Sequence, residues 1–271
     1  MDASAIRAIA DLAISAAASN RLDTHTPAIV LGDKVVPLEH LQALRSRFRG
    51  RLTTDSLADF VHYAKINNFP DAKPAVFIDS ANLRATAFFN LGNYNEPGHA
   101  DHTAALALEN TAAYRALLAA DGKKLDQRAL ADWAEEWAEQ INADDGLGKP
   151  IAMPIVVAAI RSITIKTVAE LKNTVGNFSA GRTAMEDIEA KADRTGTLPH
   201  NLYFTFCPAL GLPEQTARLR LSLLTGEEKP VFVLRWLGRE QVIEAIGQDF
   251  KRVLFGSLED VATLTIGTFS P

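Results

Sequence analysis

The chain has 271 residues, 47% of them hydrophobic and 23% charged, with 28 Lys and Arg against 33 Asp and Glu and one cysteine. That apolar content excludes a disordered chain, and one cysteine excludes an intramolecular disulfide framework or a cysteine zinc cluster. A net charge of −5 argues against a protein that coats phosphate over its whole surface and leaves only a local basic stripe open to nucleic acid.

The N-terminal stretch places Ile6, Ile9, Leu12, Ala13 and Ala16 on one helical face. Asp2 and Asp11 interrupt it and no basic region precedes it, so it is not expected to be a secretory signal. Pro27–Leu31 and Lys34–Val36 read as short strands around a Gly32-Asp33 turn. Leu38–Phe48 has leucines at helical spacing, with His40, Arg45, Arg47, Arg49 and Arg51 close together. Thr54 or Asp55 can cap a helix carrying Leu57, Phe60, Val61 and Ala64.

Pro74–Asp79 reads as a buried strand, and Ser80-Ala81-Asn82 turns it into the alternating partner Leu83–Leu91. Beyond a polar loop, Thr103–Leu108 fits a third strand by alternation and a helix by its alanines. Asn110–Ala120 is helical and stops at Asp121-Gly122. Leu125–Ile141 reads as one helix with Leu130, Trp133, Trp137 and Ile141 on its core face. Asp144–Pro150 is polar and Gly-rich, and a subdomain boundary is expected there, dividing 1–148 from 149–271.

Ile151–Ile160 is a short apolar helix, and no apolar run reaches the roughly 18–20 residues a bilayer requires. Ser162–Val168 alternates as a strand, and Phe178–Ala192 fits helix or strand. Leu202–Cys207 is a strand with Cys207 as a small core residue. Ala217–Leu224 and Val231–Leu237 form a hairpin around Thr225–Pro230. Arg239–Leu254 is amphipathic, and the tail Val261–Pro271 is a candidate edge strand. Strands follow strands more often than they alternate with helices. The expected fold is therefore α+β, with mainly antiparallel sheets, flanking helices and two subdomains.

The densest local chemistry is Gly98-His99-Ala100-Asp101-His102. In an extended segment His99 and Asp101 face one way and His102 the other. A metal would thus need further ligands from Asp79, Glu96, His62 or His200. A hydrogen-bonded Asp101–His102 pair that pins the loop accounts for the same residues. Asp79 ends a strand, a place for a catalytic carboxylate and equally for a turn-former. Arg45, Arg47, Arg49 and Arg51 form a basic island, and Arg218 and Arg220 share one face of a strand; both are candidate partner or nucleic-acid contacts. No GxGxxG, Walker A, GxSxG, HExxH or CxxC motif is present, so no cofactor is expected.

Four segments resemble the YfdQ-like family, a family of unknown function found in tailed phages and prophages. They are Leu57–Asn67, the Ala75–Asn90 hairpin, Pro97–His102, and the pair Arg218–Leu224 and Val231–Leu237 with the helix through Asp249-Phe250. His99 departs from the aromatic residue of that family's pattern. The resemblance implies a phage or prophage origin and an accessory role in the host cytoplasm, with no activity to carry over.

Three functions follow as expectations. The first is a non-enzymatic accessory protein that binds a host or phage macromolecule in host takeover or anti-defence. The amphipathic N-terminal helix and sheet edges suit it to homo-oligomerise. The second is a small-molecule or nucleotide binder, or a metal-dependent enzyme, around His99, Asp101, His102 and Asp79. The third, which the acidic balance disfavours, is an accessory of phage DNA recombination or replication that binds single-stranded nucleic acid.

Overall fold

A computed structural model describes residues 2–19, 28–31, 34–69, 72–162, 199, 201–224 and 231–271. The expectations for Ser162–Val168 and Phe178–Ala192, and the candidate His200, lie outside the described residues, apart from Ser162. The fold is α+β, and the contacts divide the chain into two compact units, residues 1–51 and 52–271.

The first unit holds α1 (Ala3–Ser19) and an antiparallel hairpin of β1 (Ala28–Leu31) and β2 (Lys34–Pro37). Ile6, Ile9 and Leu12 lie exposed on α1. The helix expected over Leu38–Phe48 is only a 3-10 turn, Glu39–Leu41. Its cause is Glu39, whose buried carboxylate accepts the Ser46 N–H at 3.0 Å and the Ser46 hydroxyl at 2.6 Å and pairs with Arg49. Folding the segment back on that anchor replaces the ladder of a helix.

β3 (Gly50–Thr54) leads into the second unit. There α2 (Leu57–Ile66) starts at Ser56, whose hydroxyl accepts the Asp59 N–H as an N-cap. β4 (Ala75–Asp79), β5 (Arg84–Phe88) and β6 (His102–Ala107) form an antiparallel meander, so alternation, not alanine content, decides residues 103–107. The five-stranded sheet runs β13-β4-β5-β6-β3, where β13 (Thr263–Ile266) is the edge strand expected of the tail and lies parallel to β4.

α3 (Ala112–Ala120) is followed by β7 (Lys124–Asp126), α4 (Gln127–Glu136) and β8 (Ile141–Asp144). The single helix expected over Leu125–Ile141 is therefore strand, helix and strand. The Asp126 side chain caps α4 by accepting the Ala129 N–H, which separates β7 from the helix. β9 (Pro150–Ile151) pairs with β8, and the expected boundary at 148/149 falls in the tight turn between them. There Asp145 Oδ1 accepts the N–H groups of Leu147 and Lys149. After α5 (Met153–Ser162) come β10 (Asn201–Phe206), β11 (Gln215–Leu224), β12 (Val231–Leu237) and α6 (Arg239–Leu258). The six-stranded sheet, β7-β12-β11-β10-β8-β9, takes strands from both sides of residue 148, so the two halves share one sheet.

One core serves the second unit. Val76, Ile78, Ala85, Ala87 and Leu106 line it from the five-stranded sheet, and Phe204, Leu219, Phe232, Leu234 and Trp236 from the six-stranded one. Trp133 stacks on Phe204 at 5.5 Å, and Tyr114 on Phe206 at 4.9 Å. Trp133 on α4 and Trp137 just past its end therefore both pack on the core, Trp137 lying 6.2 Å from Phe204. Cys207 sits one residue past β10, half-buried, with its thiol donating to the Ala209 carbonyl. Because Phe204 is fully buried among aromatic rings, Phe204→Ala is expected to cost about 3–5 kcal/mol. Denaturant unfolding would read it as a lower midpoint at unchanged slope.

Candidate functional site

Three places hold the residues expected to act. The first is the loop joining β5 to β6. Asn93 Oδ1 accepts the N–H groups of Asn95 and Glu96, both at 2.9 Å. The Gly98 N–H donates to the Leu91 carbonyl at 2.9 Å, and the Ala100 N–H to that of Asn90 at 3.1 Å. Ala100 is left-handed at φ 51°. A Cβ on Gly98 would drive into the Asn90 carbonyl, so only glycine lets the strands of the loop close.

At the base, Asn90 donates through Nδ2 to Asp101 Oδ1 at 2.7 Å and accepts the His102 N–H at 3.0 Å. His102 is buried, with its ring 4.5 Å from that of Phe89 and Nε2 3.0 Å from the Tyr63 hydroxyl. Burial pushes the His102 pKa below its ordinary value, against the opposing Asp101 carboxylate. His102 on Tyr63 and Asp101 on Asn90 thus brace the loop, with Asn90 rather than a direct Asp101–His102 bond as the shared partner of these contacts.

The expected cluster is dispersed. His99 is exposed on the loop, Asp101 is half-buried on Asn90, and His102 is inside. Asp79 forms the β4–β5 turn, accepting the Asn82 N–H at 3.2 Å and Nδ2 at 2.8 Å. His62 is exposed on α2. Among the described residues, no group of three His, Cys, Asp or Glu side chains could hold a metal ion. Tyr63 and Asn90, which complete the brace, carry no spacing signal, because Tyr63 reaches it from α2 and Asn90 from the far end of the loop, eleven and twelve residues before its partners.

The second place is the basic island of the first unit. Arg49 is taken up by Glu39. The Ser46 hydrogen bonds first, and Arg49 after them, hold the Glu39 carboxyl down to about 2. Arg45 and Arg51 are exposed and Arg47 is half-buried, so the four arginines do not make one open stripe.

The third place is the outer face of the six-stranded sheet. Strand alternation buries Leu202, Phe204, Ala217, Leu219, Leu234 and Trp236, and turns Tyr203, Arg218, Arg220 and Arg235 outward. Register places Arg220 opposite Arg235, and Asn142, Tyr203, Arg218 and Leu237 along one rung. The three arginines are exposed and Tyr203 is half-buried. Arg218 donates to Asn201 Oδ1 at 2.9 Å, and Asn201 donates to Asp144 at 2.8 Å. The face closes at Ser222, which is buried. Directly opposed residues stand about 5 Å apart at Cβ, so this face gathers positive charge. Arg235 was missed in the sequence, although the six-residue loop Thr225–Pro230 already fixes it opposite Arg220.

Two outcomes follow from the brace. Since the unfolded chain protonates its histidine more readily than the folded one, stability falls as pH drops below about 6.5. His102→Gln is expected to flatten that decline, measured by thermal unfolding across the pH range. Gly98→Ala, whose Cβ would meet the Asn90 carbonyl, is expected to lower the melting temperature more than Gly122→Ala, where a Cβ meets open space and only the positive φ of 72° is strained.

A model of a family described as uncharacterized conserved protein, DUF2303, matches residues 2–269. Neither the curated proteins nor the solved structures include a match.

Proposed function

The chain belongs to the DUF2303 family of uncharacterized conserved proteins, and we propose that it is an accessory protein of phage or prophage origin that acts by binding an anionic macromolecule in the host cytoplasm. The observation that carries the reading is the convergence of Arg218, Arg220 and Arg235 on one exposed sheet face. Support for binding over catalysis comes from the candidate acid and base groups, since Asp79, Asp101 and His102 are all engaged in holding loops. Support for the phage origin is the resemblance of Leu57–Asn67, Ala75–Asn90, Pro97–His102 and the C-terminal hairpin to the YfdQ-like family. No described helix is long and apolar enough to cross a membrane, which fits a partner other than a bilayer.

A protein that is −5 overall can still hold a polyanion where its positive charge is gathered, and such binding weakens steeply with salt. Exposed Ile6, Ile9 and Leu12 on α1 support homo-oligomerisation as a part of the same reading. Fluorescence anisotropy with labelled single- and double-stranded DNA tests the proposal. Wild-type binding is expected to weaken as salt rises, and Arg218→Glu with Arg235→Glu is expected to reduce affinity at least about tenfold. Binding that ignores both salt and the double substitution would overturn it.

A further inference from the structure

The anionic partner can be specified further, and this step rests on the binding reading above. We infer that the outer face of the six-stranded sheet is a platform for single-stranded nucleic acid, with Tyr203 stacking on a base and Arg218 and Arg235 holding phosphates.

The geometry begins with the rung Asn142–Tyr203–Arg218–Leu237. Neighbouring strands are about 4.8 Å apart, so Arg218 stands one strand from Tyr203, with Arg235 on the next strand beyond and one rung along. An aromatic ring beside guanidinium groups offers two kinds of contact at adjacent points: a flat surface for a base and donors for the backbone. Tyr203 takes part in no ring stack with the core aromatics, which instead join Tyr114, Trp133, Phe204, Phe206 and Trp236. Asn142 flanks the ring on the neighbouring strand and is exposed, with an amide able to meet a base edge, while Asn201 is taken up between Arg218 and Asp144.

Chemistry separates the single strand from the other polyanions. In a duplex the bases are stacked on each other, so a phosphate-only surface binds it and Tyr203 adds nothing. A sulfated polysaccharide has charge and no π-face. Only a splayed single strand uses the arginines and the ring together. Among the described residues, Asp144 accepts from Asn201 and the Gly146 N–H, and Asp126 from the α4 N-cap.

The test uses the whole chain and a labelled oligodeoxythymidine of about 20 nucleotides, a matched duplex, and heparin as competitor. The single strand is expected to bind most tightly. Tyr203→Ala is expected to weaken it about fivefold or more, whereas Tyr203→Phe retains it. Arg235→Ala is expected to reduce the slope of log affinity against log salt by about 0.7. Where Tyr203→Ala lowers the melting temperature, Tyr203→Leu, which keeps bulk in the strand, serves as the stacking-deficient variant. Equal affinity for the duplex, or single-strand affinity indifferent to loss of the Tyr203 ring, would overturn this inference and leave a polyanion site. Failure of all three polyanions to bind would overturn the binding reading as well.

Discussion

A β-strand sends successive side chains to opposite sides, and in β10, β11 and β12 that period of two decides both the interior and the surface. Phe204, Leu219, Phe232, Leu234 and Trp236 can reach the common core only if the intervening residues point away. The intervening residues include Tyr203, Arg218, Arg220 and Arg235. A shift of pairing by one residue would bury guanidinium groups and expose phenylalanine, so hydrophobic burial fixes the register. The positive face is therefore imposed by the interior. Its charge is concentrated even though the chain as a whole is acidic.

The loop between β5 and β6 follows the opposite logic. Its polar groups are turned inward onto one another and onto the backbone, with Asn90 serving Asp101 and His102 at once. Residues with the chemistry of acids, bases and ligands thus become structural by virtue of their neighbours. Tyr94 and His99 remain outward on a frame that the Gly98 close approach and the left-handed Ala100 hold in one shape.

Legibility in the sequence tracked the range of the interaction responsible. Strand patterning located β4, β5, β11 and β12 and placed Arg218 and Arg220 on one surface, while β6 stood open between strand and helix because its alanines suit both. Helical periodicity located α2, α3 and α5. It overextended α4, because Leu125 and Ile141 continue the helical spacing although they pair as strands with Phe232 and Phe204. The false helix over Leu38–Phe48 has the same origin, since the Glu39 anchor to Ser46 and Arg49 crosses up to ten residues and leaves no periodic trace. The brace on His102 needed Tyr63, 39 positions away, which no local pattern reports.

The parallel pairing of β13 with β4 gives the chain a birth order. β4 has β5 on one side as soon as that hairpin is made, while its other side waits for Thr263–Ile266. Roughly 190 residues separate the partners, about 10–40 s of translation at ~5–20 residues per second. Phe77 and Phe88 wait equally long for Phe269, which stacks on the first at 4.7 Å and meets the second edge-on at 5.7 Å. During that interval the nascent protein presents an unpaired strand edge beside a bare aromatic pair, the combination that a holding chaperone or a neighbouring chain engages. Only when Thr263–Ile266 has emerged is that edge of the five-stranded sheet sealed.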